Sequence, residues 1–172
     1  YFAKRICVFG PESTGKSTLT RDLARHFNTV AVPEYARTHL EQQGGEISAA
    51  DIPLIARGQM ATEDSLAFNA NQLLFCDTDL VLTTIWSDWL FQDCPQWIRE
   101  AAEQRTYDLY LVTDVDVPWV KDEVRYLPEE RRTFLDRCIS ELDRLGRRYE
   151  LISGSWSERF ESAVQAVKQR VL

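Results

Sequence analysis

Residues 7 to 19 read "CVFGPESTGKSTL": a glycine, four intervening residues, then Gly15-Lys16-Ser17. No other segment constrains the fold as tightly, because this spacing works only as a turn that leaves a strand and opens a helix. Both flanks comply. "KRICVFG" is a short apolar run ending at Gly10, and "KSTLTRDLARHF" carries Leu19, Leu23 and Phe27 at helical spacing. In such a loop, Gly10-Pro-Glu12-Ser13-Thr14-Gly15 turns successive backbone N–H groups inward on a polyphosphate, and the helix adds its positive end. Lys16 supplies a point charge to the outer phosphates and Ser17 a ligand for Mg2+, so a nucleoside triphosphate and magnesium are the expected cofactors.

The rest of the chain repeats the strand-then-helix order. "TVAVP" is a second apolar run, stopped by Pro33, and "EYARTHLEQQGG" is a helix ended by Gly44 and Gly45. Ser48-Ala-Ala-Asp51 predicts a capping box for a long helix towards Asn69, with Ile47 and Ile52 as its staple. "LLFCD" is a third run. "TTIWSDWLFQDCPQWIREAAEQRT" is helical and broken near Pro95, and "YDLYLVT" and "RYELIS" are the fourth and fifth runs. Between those two, Phe134, Leu135, Cys138, Ile139, Leu142 and Leu145 keep helical spacing up to Gly146. The final helix starts near Ser155 or Ser157 with Glu158 completing a capping box, and buries Phe160, Val164, Val167 and Val171. The pattern predicts a three-layer α/β fold: a five-stranded parallel sheet with helices on both faces, in one domain over residues 1–172.

Composition removes several function classes. A net charge of −7 argues against a nucleic-acid surface, which needs clustered Lys and Arg. No run approaches the roughly 20 apolar residues of a membrane span, and no signal peptide opens the sequence. Four scattered cysteines, Cys7, Cys76, Cys94 and Cys138, form no zinc or redox pair and read as core residues of a cytoplasmic protein. His26 and His39 lack metal-ligand spacing. The dinucleotide fingerprint Gly-x-Gly-x-x-Gly is absent, which speaks against an NAD-dependent oxidoreductase, and so is the Asn-Lys-x-Asp signature of a GTP-binding switch. The sequence opens on Tyr1, the mark of a piece or processed form of a longer protein.

Ligands of such sheets lie beyond the carboxyl ends of the strands, so acids that follow apolar runs are the candidates for chemistry. Asp77, ending "LLFCD", is the metal-side carboxylate; Glu34 and Asp79 compete for holding an acceptor hydroxyl and taking its proton. Phosphoryl transfer to a small molecule also needs a cover that excludes water. "DVPWVKDEVRYLPEERR", residues 116 to 132, is the candidate lid, and its Arg125 the candidate clamp on the transferring group. Tyr35, Trp86, Trp89 and Trp119 lie near these acids or the lid and offer faces for a flat, cationic ring.

Taken together, "GPESTGKST", "VPEYAR", "FCDTDLVLTT" and "DVPWVKDEVR" resemble, over essentially the whole chain, the ribosylnicotinamide kinase domain of bacterial NadR-type proteins. The resemblance implies a P-loop kinase fold and transfer of the ATP γ-phosphate to the 5′-hydroxyl of nicotinamide riboside, giving nicotinamide mononucleotide. It implies that Gly15, Lys16, Ser17 and Thr18 hold the ATP phosphates and metal, Glu34 binds and deprotonates the hydroxyl, Arg37 aids ribose or phosphate binding, and Arg125 is the lid arginine. The family often has Asp-Gly before that arginine, where this chain has Asp122-Glu123. No His-x-Gly-His adenylyltransferase signature can be written, so the chain is expected to stop short of NAD. It is expected as a monomer or small homo-oligomer, with no nucleic-acid or membrane partner. A kinase for another nucleoside or nucleotide, and a nucleotide-binding switch, are the alternatives.

Overall fold

The computed structural model describes residues 3–117 and 128–172; Trp119, Arg125 and most of the candidate lid lie outside them. Among the described residues, five strands form one sheet: β1 (Lys4–Phe9), β2 (Ala31–Val32), β3 (Leu73–Asp77), β4 (Leu109–Thr113) and β5 (Tyr149–Ile152). All pairings are parallel and the order is β2-β3-β1-β4-β5. Successive side chains of a strand point to opposite faces, and here both faces are covered, which is why the central strands read as unbroken apolar runs.

Ile6 and Val8 of β1, with Phe75, Leu109 and Leu111, meet α1 (Lys16–His26) and α7 (Trp156–Arg170) through Leu19, Leu23, Val164 and Val167. Cys7 and Phe9 face the other way, towards α3 (Asp51–Ala67), α4 (Leu80–Phe91), α5 (Gln96–Gln104) and α6 (Arg131–Arg144), through Ile52, Leu82, Ile85, Ile98 and Phe134. All four cysteines are free and buried. The capping box predicted for α7 is present, with the Ser155 hydroxyl accepting from the Glu158 N–H and the Glu158 carboxylate accepting from the Ser155 N–H. The long helix α3 starts differently from expectation. It begins at Asp51, whose carboxylate accepts from the Ser48 N–H and hydroxyl at 2.7 and 2.9 Å, so Ser48 donates to the acid instead of capping a backbone N–H. His39 of α2 (Tyr35–Gln43) meets the same carboxylate at 3.0 Å, and with the Ser48 bonds holds Asp51 well below the usual carboxylate range. No helix among the described residues is long and apolar enough to cross a membrane.

The register carries the chemistry to one edge. Val8 pairs with Asp77 and Phe9 with Val112, so the turn after β1 emerges between the ends of β3 and β4. The start of α2 is set by one small residue. A Cβ on Gly58 of α3 would lie 2.1 Å from the Tyr35 ring, so only glycine lets that ring lie against the helix. Gly to Ala inside a helix is ordinarily worth about 1 kcal/mol of added stability. Gly58→Ala is expected instead to destabilise by about 1–2 kcal/mol, because the ring must move. In a Tyr35→Ala background the same change should recover its ordinary gain. A double-mutant cycle by urea unfolding reads the sign reversal; additivity would show that the contact does not govern packing.

Candidate active site

The turn after β1 is held from behind. Gly15 has φ +80° and opens α1, a conformation that glycine takes at little cost, and a Cβ there would meet the Trp156 ring at 2.5 Å. Three carbonyls of the turn accept hydrogen bonds from side chains. Pro11 O accepts from the Thr14 hydroxyl at 2.7 Å and the Lys16 ammonium at 2.9 Å. Ser13 O accepts from Arg131 at 3.2 Å, and Thr14 O from Arg159 at 3.3 Å. Both arginines are buried. Arg159 also donates to Gly154 O at 2.9 Å, to Asp114 O at 3.0 Å and to the Asp116 carboxylate; Arg131 donates to Val117 O at 2.7 Å. Occupying these carbonyls with the chain's own donors leaves the N–H groups of the loop for an anion.

Beside the loop, the Ser17 hydroxyl donates to Asp77 Oδ2 at 2.5 Å. The other oxygen, Oδ1, is buried without a hydrogen-bond partner. Burial pushes the Asp77 carboxyl up, against the Lys16 ammonium and the Ser17 hydroxyl that pull it down. An unmatched buried carboxylate oxygen beside a hydroxyl is what a hard, oxygen-seeking cation would satisfy. Magnesium takes one or two protein oxygens and keeps several waters, so Ser17 and Asp77 fit it. No cluster of three His, Cys, Asp or Glu suited to a transition metal occurs among the described residues.

A cleft of about 560 Å³ opens from this pair, lined by Ser17, Asp77, Arg21, Pro33, Glu34 and Arg37. A second, narrower pocket adjoins it at Glu34, lined also by Ile47, Ile55, Gln59, Thr78 and Trp86. Glu34 belongs to both. It sits at the N-cap position of α2 in extended conformation, and its side chain does not cap the helix, so the turn after β2 presents it towards the cavities.

Several expected site residues are placed elsewhere. Asp79 is 1% exposed and is spent on the fold: Oδ1 accepts from the Leu82 N–H at 3.1 Å, capping α4, and Oδ2 accepts from the Tyr110 hydroxyl at 2.6 Å. Burial pushes its carboxyl up to about 6. It lines neither cavity, whereas Glu34, the other of the two competing acids, lines both. Trp89 packs edge-on against Phe134, 5.3 Å between centroids, with the Arg137 guanidinium over its ring at 5.7 Å from the centroid. Tyr35 lies against α3, as described. Trp86 is where an aromatic wall was expected, buried on Phe134 at 4.4 Å and lining the inner pocket. Thr18 borders a small recess with Gly15, Trp156 and Arg159. Sequence reasoning missed Gln59, Arg159 and the seating of Arg131 on the loop.

The phosphate-loop turn, the strand order and the flanking helices define a P-loop fold of the nucleoside-kinase type. The chain belongs to the AAA domain family, whose model matches residues 5–159. It is similar to the trifunctional NAD biosynthesis/regulator protein NadR of Escherichia coli (strain K12): 27% identical over 176 residues, covering 98% of this chain and 43% of that protein. The chain thus spans less than half the length of that relative. Two crystal structures of NadR superpose on it. One, in complex with NAD and AMP-PNP, has a TM-score of 0.82 at 24% identity, covering 98% of this chain and 50% of that one. The other, in complex with NR, has a TM-score of 0.80 at 26% identity over 98% and 51%.

Asp77→Asn is expected to leave the fold intact, since the amide keeps an acceptor for Ser17, and to remove the magnesium-dependent part of the rise in Tm that ATP gives. A magnesium effect of wild-type size in this variant would assign the ion to other residues.

Proposed function

We propose that this chain is an ATP-dependent kinase that phosphorylates the 5′-hydroxyl of nicotinamide riboside to give nicotinamide mononucleotide. The observation that carries the reading is Glu34, shared by the cleft that leads from Ser17 and Asp77 and by the pocket that Trp86 lines. The likeness to NadR solved with NR and to NadR solved with AMP-PNP supports the two substrates. An acceptor with its ring against Trp86 directs its ribose to Glu34, and a triphosphate on the loop directs its γ-phosphate into the same cleft. A cationic pyridinium suits both an aromatic face and a carboxylate.

Phosphoryl transfer asks a protein mostly for positioning and charge. The acceptor oxygen bonds to the γ-phosphorus as the bond to the β,γ-bridging oxygen breaks. The proton of the hydroxyl passes to the Glu34 carboxylate, and ADP leaves. Lys16 follows the charge on the outer phosphates, and Arg37, lining the cleft, faces the ribose side. Magnesium held by Ser17 and Asp77 would supply charge neutralisation of the β- and γ-phosphates. Arg125 is assigned the clamp on the transferring group. The same reading places the chain in NAD salvage, in the cytoplasm, as one kinase domain.

Glu34→Gln is expected to lower kcat by about 100-fold or more, as loss of a general base does, while ATP binding stays within about twofold. The assay uses Mg-ATP with nicotinamide riboside, cytidine, uridine and adenosine as acceptors, with products identified by mass. Preference for a common nucleoside, or near-wild-type turnover by the variant, contradicts the reading.

A further inference from the structure

The inner pocket contains a buried polar group that the fold leaves unmatched. Gln59, midway along α3, is 3% exposed and lines the pocket together with the aliphatic side chains of Ile47 and Leu82. Its Oε1 accepts a hydrogen bond from the Tyr35 backbone N–H at 2.8 Å. Only an oxygen can take that bond, so the backbone fixes which way the amide is turned and leaves the NH2 on the other side. That Nε2 is buried and has no hydrogen-bond partner. Buried donors are almost always satisfied, and one left open where it lines a pocket is placed to meet an acceptor on a bound molecule.

Ile47, Ile52, Ile55 and Leu82 wall the pocket with aliphatic groups, and the acceptors that also line it, on Glu34, Thr78 and Thr83, make no hydrogen bond to Nε2. We infer that Gln59 is a specificity-determining residue: its side-chain amide donates to an exocyclic carbonyl oxygen on the ring that occupies this pocket. The acceptor class it selects is ribosides whose ring bears a carboxamide, acyl or carboxylate group, against rings that present a methyl or hydrogen there. The inference rests on the reading of the acceptor as a pyridinium riboside, and deepens it by naming the atom that is read. The arrangement also ties recognition to catalysis. The Tyr35 N–H that orients Gln59 belongs to the residue after Glu34, so one peptide links the group that reads the ring to the acid at the ribose.

The test compares nicotinamide riboside with 3-methylpyridinium riboside, which keeps ring, charge and ribose and lacks the oxygen. Wild-type chain is expected to favour the carbonyl compound by about 10- to 100-fold in kcat/KM, the range for one buried hydrogen bond left unmade. Gln59→Glu keeps an oxygen for the Tyr35 N–H and the shape of the side chain but replaces the donor with an acceptor. It is expected to bring the ratio to about one, or to invert it, while the rise in Tm with Mg-ATP is unchanged. A wild-type ratio near one, or a Gln59→Glu ratio equal to wild type, overturns the inference and leaves the kinase reading standing. Turnover of neither riboside by the wild-type chain overturns the kinase reading, and the inference with it.

Discussion

Three carbonyl oxygens of the turn after β1, those of Pro11, Ser13 and Thr14, accept hydrogen bonds from Thr14, Lys16, Arg131 and Arg159, and the site depends on this grip. A carbonyl facing into the turn would repel a phosphate. Engaging these carbonyls with the chain's own donors leaves the N–H groups of the turn as the partners for a phosphate. The same arginines tie the turn to distant chain. Arg131 opens α6 and reaches the segment after β4 through Val117 O, and Arg159 lies on α7 and fixes the β5–α7 connection through Gly154 O. The segments that follow β1, β4 and β5 are thereby tied to one another at the carboxyl ends of the strands.

From that fixed edge the acceptor side follows by register. Parallel pairing sets Asp77 beside Val8, and Thr78 N–H closes the strand end onto Val8 O at 2.9 Å, which brings the carboxylate to Ser17. On the outer side, β2 contributes only two residues before the chain turns at Pro33 and presents Glu34. Its position is set by α2, through Tyr35 on Gly58 and Tyr35 N–H on Gln59, and by the Asp51 carboxylate that joins His39 to the start of α3. Residues of α3 that touch no phosphate therefore control where the acid stands.

The strands were legible because sheets buried on both faces force continuous apolar runs, and the turn because its glycines and lysine serve one geometry. Such rules single out Asp77, Ser17, Glu34 and Trp86, which the fold places along the two cavities. The acids of "DTD" show where those rules stop. Two carboxylates follow one strand, and which of them faces the cleft depends on whether each still belongs to the strand or already opens the next helix. Asp77 is the last strand residue, and Asp79 caps α4. Gln59 was invisible because a mid-helix glutamine carries no pattern; its meaning comes from a backbone N–H 24 residues away. Arg159 reaches Thr14 across 145 residues, a distance no local spacing encodes. Tyr35 and Trp89, expected as ring platforms, pack on α3 and on Phe134, a placement the sequence does not show because aromatics near an acid look the same in either setting.

The most direct test of the account is a crystal structure of the chain with nicotinamide riboside, magnesium and a non-hydrolysable ATP analogue. The account predicts the ribose 5′-oxygen within hydrogen-bond reach of the Glu34 carboxylate, about 2.6–3.2 Å, and facing the γ-phosphorus, with the ring against Trp86. A riboside bound away from Glu34, or a triphosphate whose γ-phosphate lies outside the cleft that Glu34 shares with Ser17 and Asp77, would contradict it.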